Sequence, residues 1–172
     1  MKEQTMIPKE VSDVVAKLAA AGHEAYPVGG CVRDLLRGEK PKDWDVTTSA
    51  RPEEILALFP ESFYENKFLT VTVKTGSPDA ALAEIEITTY RAEGKYTDKR
   101  HPDEVRYART LEEDLSRRDF TINAMAIDDG SFQTKSGKGS RLSLECVIDQ
   151  FGGQEDLKKK LIRAVGDADT RF

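Results

Sequence analysis

The sequence predicts an α+β fold: a mixed or antiparallel sheet with flanking helices. Two observations lead there. Extended runs come in hairpin-like pairs, above all 69–75 and 82–90 around the Gly76-Ser77-Pro78-Asp79 turn. Helical stretches are scattered between them, without the regular strand–helix alternation of a wound parallel sheet. A length of 172 residues fits one domain, or one and the start of another.

Residues 8–21 read as an amphipathic helix, with Pro8 in the first turn, Val11, Val14, Val15, Leu18 and Ala19 on one face, and Gly22 to end it. Residues 24–28 form a short strand running into Gly29-Gly30. A short helix follows at 31–37, stopped by Gly38. Residues 44–48 (WDVTT) are a β-branched strand, and a helix runs from Pro52 through Phe59. The 69–75 run alternates, with Leu69, Val71 and Val73 on one face. The 82–90 run alternates too, with Ile85 and Ile87 opposite Glu84, Glu86 and Thr88. Residues 91–110 read as a polar loop. Helices are expected at 111–116, 120–126 and 154–160. A second hairpin has arms near 131–135 and 141–148, and 162–165 reads as extended.

Composition excludes several classes. Lys and Arg number 26 against 31 Asp and Glu, a net charge of −5, which argues against wholesale non-specific nucleic-acid binding but leaves room for a local basic groove. No apolar run approaches the roughly 20 residues a bilayer needs, and the N-terminus lacks a signal-peptide core, so no membrane association is expected. Cys31 and Cys146 make no CxxC pair, and His23 and His101 have no metal-ligand spacing, which disfavours a disulfide scaffold or a zinc site.

Three patterns carry chemistry. Asp43 and Asp45 flank Trp44 at the start of a strand, so both carboxylates face one way and Trp44 the other, toward the core. Such a pair repels itself unless a cation intervenes; Mg²⁺ is the natural one. The same residues could instead form a strand-entry turn with Asp43 capping and Asp45 solvated. Glu86, on the polar face of its strand, could complete a two-metal set or simply face water. In the second pattern, Gly29-Gly30 stands between a strand and a helix, where the backbone can approach phosphate closely and Arg33 can reach the same group. Asp34 could pair with Arg33 or Arg37, or brace the loop. The third is Arg117-Arg118-Asp119-Phe120-Thr121-Ile122-Asn123-Ala124. Here Arg118 could contact phosphate or base. Asp119 and Asn123, four apart on one helical face, could hold ribose hydroxyls, with Phe120 and Ile122 packed beneath. A solvated helix start capped by Asp119 is the plainer alternative.

With VGGCVRDLL, DWDVTT, IEITTYR, RRDFTINA and DQFGGQEDLKKKLIR in this order, the sequence resembles class II tRNA nucleotidyltransferases and bacterial poly(A) polymerases over roughly residues 10–172. The resemblance implies a polymerase-β-like nucleotidyltransferase palm at 1–148. It implies a head-to-neck connector at 149–172, with Asp149, Gly152 and Arg163 in a hinge motif. It implies transfer of CMP or AMP from CTP or ATP to the 3′ end of tRNA by a two-metal mechanism, in the cytoplasm. Asp43 and Asp45 match the family's metal-binding aspartates, and Glu86 its third acidic position. Gly30 and Arg33 match the triphosphate loop; Arg118, Asp119 and Asn123 match the nucleotide and ribose motif. The 93–115 region resembles the loop that accompanies ATP addition, which favours complete CCA addition over an A-adding enzyme, a poly(A) polymerase or a CC-only enzyme. A non-catalytic nucleotide- or RNA-binding module is the rival from another class. The family's neck helix, body and tail lie beyond the motifs seen here, so a head-domain piece is expected. Two features have no assignment from sequence: the oligomeric state, and the basic stretch at 131–147 with Lys135, Lys138 and Arg141.

Overall fold

Alternating apolar residues make one face of a sheet, and three helices cover that face. The computed structural model describes residues 7–65, 69–92, 106–128, 130 and 146–172. Helix α1 (Lys9–Ala20) follows Pro8 and buries Val11, Val14, Val15 and Leu18. It leads into β1 (Ala25–Pro27), α2 (Gly30–Leu36), β2 (Asp45–Thr48) and α3 (Pro52–Leu58). Then come β3 (Ser62–Glu65), β4 (Thr70–Lys74) and β5 (Glu84–Thr89).

These strands form one sheet in the order β1-β2-β5-β4-β3. Only β2 and β5 run parallel; the other neighbours are antiparallel, so the sheet is mixed as expected. Val46, Val71, Val73, Ile85 and Ile87 point to one side and are buried with Val11, Val32, Leu35, Trp44 and Ile55 in a single core. Each such side chain contributes on the order of 1.5–3 kcal/mol. The period of two sends Asp45, Glu65, Thr70, Thr72, Glu86 and Thr88 to the other side. The register sets Asp45 beside Glu86, and Glu86 beside Thr72.

Beyond the sheet, β6 (Arg91–Ala92) pairs with β7 (Arg106–Tyr107), and α4 (Leu111–Ser116) follows. A 3-10 turn at Thr121–Asn123 leads to β8 (Ala126–Ile127), which pairs with β9 (Val147–Ile148). Helices α5 (Gly153–Lys159) and α6 (Ala168–Arg171) close the chain. No helix among the described residues is long and apolar enough to cross a membrane.

Several expectations need correction. Strand β3 was not legible: it is an edge strand whose alternate residues Phe63 and Glu65 are exposed. The loop read over 91–110 contains the β6/β7 pair, and its middle, 93–105, lies outside the described residues. The helix read over 120–126 is one 3-10 turn followed by a strand, because Ala126–Ile127 are fully buried and claimed by β9. Phe120 and Ile122 are half-buried instead of packed beneath, and Phe120 stacks on Phe172 with centroids 5.5 Å apart. Of the second hairpin, 131–145 lies outside the described residues, and Val147–Ile148 pair with β8. The extended run at 162–165 is real: Ala164 bridges Phe120, and the Val165 N–H donates to the Asp119 carbonyl at 2.9 Å.

Candidate active site

The floor of the site is the polar face of the sheet. Trp44 is only 2% exposed, which turns its two aspartate neighbours outward. Asp43 is exposed at a bend and Asp45 half-buried at the first position of β2. The Glu86 N–H donates to the Trp44 carbonyl at 3.1 Å, locking β5 beside this bend. The charges feel one another. Burial, then the Glu86 and Asp43 carboxylates, push Asp45 up to about 6, against the pull of Arg118. Glu86 is also raised, by burial and then by Glu65, Asp43 and Glu84. Glu65 is thus a further acidic group at this floor. Sequence reasoning missed it because β3 was not seen; the signal available was its Phe63/Glu65 alternation.

The glycine turn abuts this floor. The Val28 N–H donates to the Asp45 carbonyl at 3.0 Å, and the Gly29 N–H to the Met125 carbonyl at 3.1 Å. Gly29 has φ +83°, and a Cβ there would stand 3.0 Å from Arg118 Nη1 and 3.9 Å from Asp45 Oδ2. The positive φ favours glycine, and a Cβ would crowd the Arg118 guanidinium, while Asp45 stands at ordinary contact distance. Gly30 opens α2. Arg33 is anchored within the protein: Nε donates to Asp34 Oδ1 at 2.9 Å and Nη1 to Asn123 Oδ1 at 2.8 Å. Asp34 therefore pairs with Arg33. Asn123 Nδ2 in turn donates to Asp119 Oδ1 at 3.3 Å. Asp119 and Asn123 meet as expected, across a 3-10 turn in place of an α-helical face, and Arg33 fixes which way the Asn123 amide points.

That segment is clamped from behind. The Asp156 carboxylate, 4% exposed, accepts from Thr121 Oγ1 at 2.6 Å and pairs with Arg163 at 2.8 Å. Arg163 Nη2 also donates to the Phe151 carbonyl at 2.8 Å, and the Asp149 carboxylate accepts from the Gly153 and Gln154 N–H groups at 2.7 and 2.8 Å. A cleft of about 400 Å³ lies over the sheet. Asp45, Glu65, Glu86, Thr70 and Thr88 of the sheet line it, together with Arg91, Arg117 and Arg118.

The donor set fits a divalent cation bound in part by substrate. Among the described residues no three His, Cys, Asp or Glu side chains converge into a closed cage, so Glu86 does not complete one with the aspartates. Yet Asp45 is raised by burial and then by the neighbouring Glu86 and Asp43 carboxylates, and an oxygen-liganded cation would relieve that crowding of charge. Mg²⁺ is usually held by one or two carboxylates plus phosphate oxygens and water, and Asp43 and Asp45 offer that.

A mixed sheet with this carboxylate floor, glycine turn and arginine wall is the palm of a polymerase-β-like nucleotidyltransferase. Residues 25–163 match the poly(A) polymerase head domain family, and the chain belongs to it. Among curated relatives it is 42% identical over 165 residues to a CCA-adding enzyme of Geobacillus thermodenitrificans, covering 92% of this chain and 35% of that one. It is 46% identical over 160 residues to one of Lactobacillus helveticus, with the same coverage, 92% and 35%. Among solved structures, the Bacillus stearothermophilus CCA-adding enzyme in complex with CTP matches with a TM-score of 0.75 at 38% identity, over 97% of this chain and 36% of that one. The Thermotoga maritima CCA-adding enzyme complexed with tRNA matches at 0.63 and 28%, over 95% and 34%. The chain thus spans about a third of the length of the curated relatives it matches.

Proposed function

We propose that this domain catalyses transfer of CMP and AMP from CTP and ATP to the 3′ end of tRNA, as part of CCA addition. The observation that carries the reading is the pairing of Asp45 with Glu86 on one sheet face, in one cleft with Arg118 and against the Gly29 turn. Relatives named as CCA-adding enzymes, one with CTP and one with tRNA, support the choice of substrates.

Asp43 and Asp45 would hold Mg²⁺. Bound there, the cation would supply a lowered pKa for the attacking hydroxyl and neutralisation of the phosphates. The chain's own residues position and balance charge, and no protein nucleophile is required. Gly29 and Gly30 admit the triphosphate close to the backbone. Arg118, already beside Gly29, meets its negative oxygens. Asp119 and Asn123 receive the ribose hydroxyls, with Arg33 holding the Asn123 amide in orientation. Glu86 adds negative charge beside Asp45 where the acceptor hydroxyl loses its proton.

Asp43→Ala and Asp45→Ala are expected to abolish addition of labelled CMP and AMP to tRNA lacking its 3′ end, with the fold intact by circular dichroism. Activity within about threefold of the unsubstituted protein in both variants would sink the metal assignment; that ratio is worth less than 1 kcal/mol in the barrier.

A further inference from the structure

We propose that Asp114 is the positioning residue of this cleft: it aims Arg117 and Arg118 at the phosphates of a bound nucleoside triphosphate. The inference rests on the nucleotidyl-transfer reading above. In sequence, Asp114 looks like its neighbours Glu112 and Glu113 on a short acidic helix. In the fold those two are exposed, while Asp114 is 0% exposed.

Three elements converge on its carboxylate. From β2, Thr47 Oγ1 donates to Oδ2 at 3.1 Å. From β6, the Arg91 N–H donates to Oδ1 at 3.0 Å. From the end of α4, Arg117 Nε and Nη2 both donate to Oδ1 at 3.1 Å, and Arg118 Nη2 stands 3.5 Å from Oδ2. A carboxylate offers about four lone-pair sites, and the four hydrogen bonds here are enough to fill them, with Arg118 adding an ion pair. Asp114 therefore joins the catalytic sheet to the arginine wall.

The charge count gives the wall its purpose. Three guanidinium groups, of Arg91, Arg117 and Arg118, line the cleft, and one buried carboxylate sits among them. Asp114 alone does not balance three guanidinium groups, and although Asp45, Glu65 and Glu86 line the same cleft, a bound anion on the wall would offset the positive charge left on it. Nε of Arg91 and Nε of Arg118 are buried with no hydrogen-bond partner among the described residues, so the protein alone does not satisfy the wall. Burial and the neighbouring Arg117 also hold Arg91 down at about 10. A triphosphate has the charge and reach to meet the wall, whereas a monophosphate has much less of both.

The test is calorimetric titration of this chain with MgATP and with AMP. Asp114→Asn keeps the shape and removes the charge that orients the arginines. It is expected to weaken MgATP binding about tenfold while AMP binding changes less than about twofold. Thr47→Val, which takes one hydrogen bond from Asp114 and leaves its charge, is expected to lower the ATP-to-AMP affinity ratio about threefold. An unchanged ratio in a folded Asp114→Asn overturns the proposal, even if its thermal stability drops, because a purely structural brace would behave that way. Should Asp114→Asn fail to fold, an unchanged ratio in Thr47→Val overturns it instead. No MgATP binding by the unsubstituted chain would overturn the nucleotide reading itself, and this proposal with it.

Discussion

Asp45 shows how one side chain links stability to function. Burial and the carboxylates of Glu86 and Asp43 raise it to about 6, above its ordinary value of 3.8. A carboxyl whose folded pKa lies above its unfolded one binds more protons when folded. Its contribution is therefore most favourable below about pH 4 and is lost as pH rises through about 6. The loss is on the order of 3 kcal/mol. Asp79 and Asp156 have lowered values, so their stabilisation fades only at lower pH, whereas the raised Glu86 acts with the same sign as Asp45. Without divalent cations the melting temperature is expected to fall from pH 5 to pH 7. Mg²⁺ should reduce that fall by neutralising the carboxylates, and Asp45→Asn should flatten the profile. A profile of unchanged slope in Asp45→Asn, followed by scanning fluorimetry, would assign the effect elsewhere.

At the scale of elements, the site depends on α5, which lies outside the sheet. Gly153 sits so close to the 3-10 turn that a Cβ there would stand 2.3 Å from the Thr121 carbonyl oxygen and 3.0 Å from Met125 Cγ. Backbone held by Asp156 and by the Thr121 N–H to Arg163 carbonyl bond has little room to yield. Gly153→Ala gains up to about 1 kcal/mol of helix propensity. Overpacking against backbone costs about 1–3 kcal/mol and more for so short a contact. The expected result is a net loss of several degrees in melting temperature. Weaker nucleotide binding should accompany it, since Thr121–Asn123 carries the Asn123 amide. Unchanged melting would mean that α5 does not pack on this turn.

Over the whole molecule, the segment after β9 is woven into the body. Thr121 and Val165 donate backbone hydrogen bonds across it, and Ala164 bridges Phe120. The head and the connector, set apart at 148/149 by sequence, are therefore expected to unfold together. Trp44 is the single tryptophan and lies in the main core, so its fluorescence reports the sheet. Far-UV circular dichroism reports every helix, α5 included. The two melting curves should coincide within about 2 °C, the mark of two-state unfolding. An earlier transition seen only by circular dichroism would make the connector a separate cooperative body.

The sequence by itself determined the local patterns. Strict alternation in 69–75 and 82–90 assigned Val71, Val73, Ile85 and Ile87 to the core and Glu86 to the opposite face, because side-chain direction along a strand needs no partner strand. Trp44 between two aspartates pointed to both turning away from the core, and Asp43 does so from a bend ahead of β2. The glycine turn and the Arg118–Asn123 run were legible as chemistry before any geometry. What only the tertiary structure decided is neighbourhood. That β2 lies parallel to β5, bringing Asp45 to Glu86, follows from pairing across some forty residues that no local period encodes. Glu65 reaches the same floor only through an edge strand. Arg33, a candidate phosphate ligand in sequence, also holds Asn123, because residues ninety apart in sequence come within hydrogen-bond distance. Asp114 and Glu113 are adjacent acids on one short helix, and packing alone buries the first among three arginines while leaving the second in water.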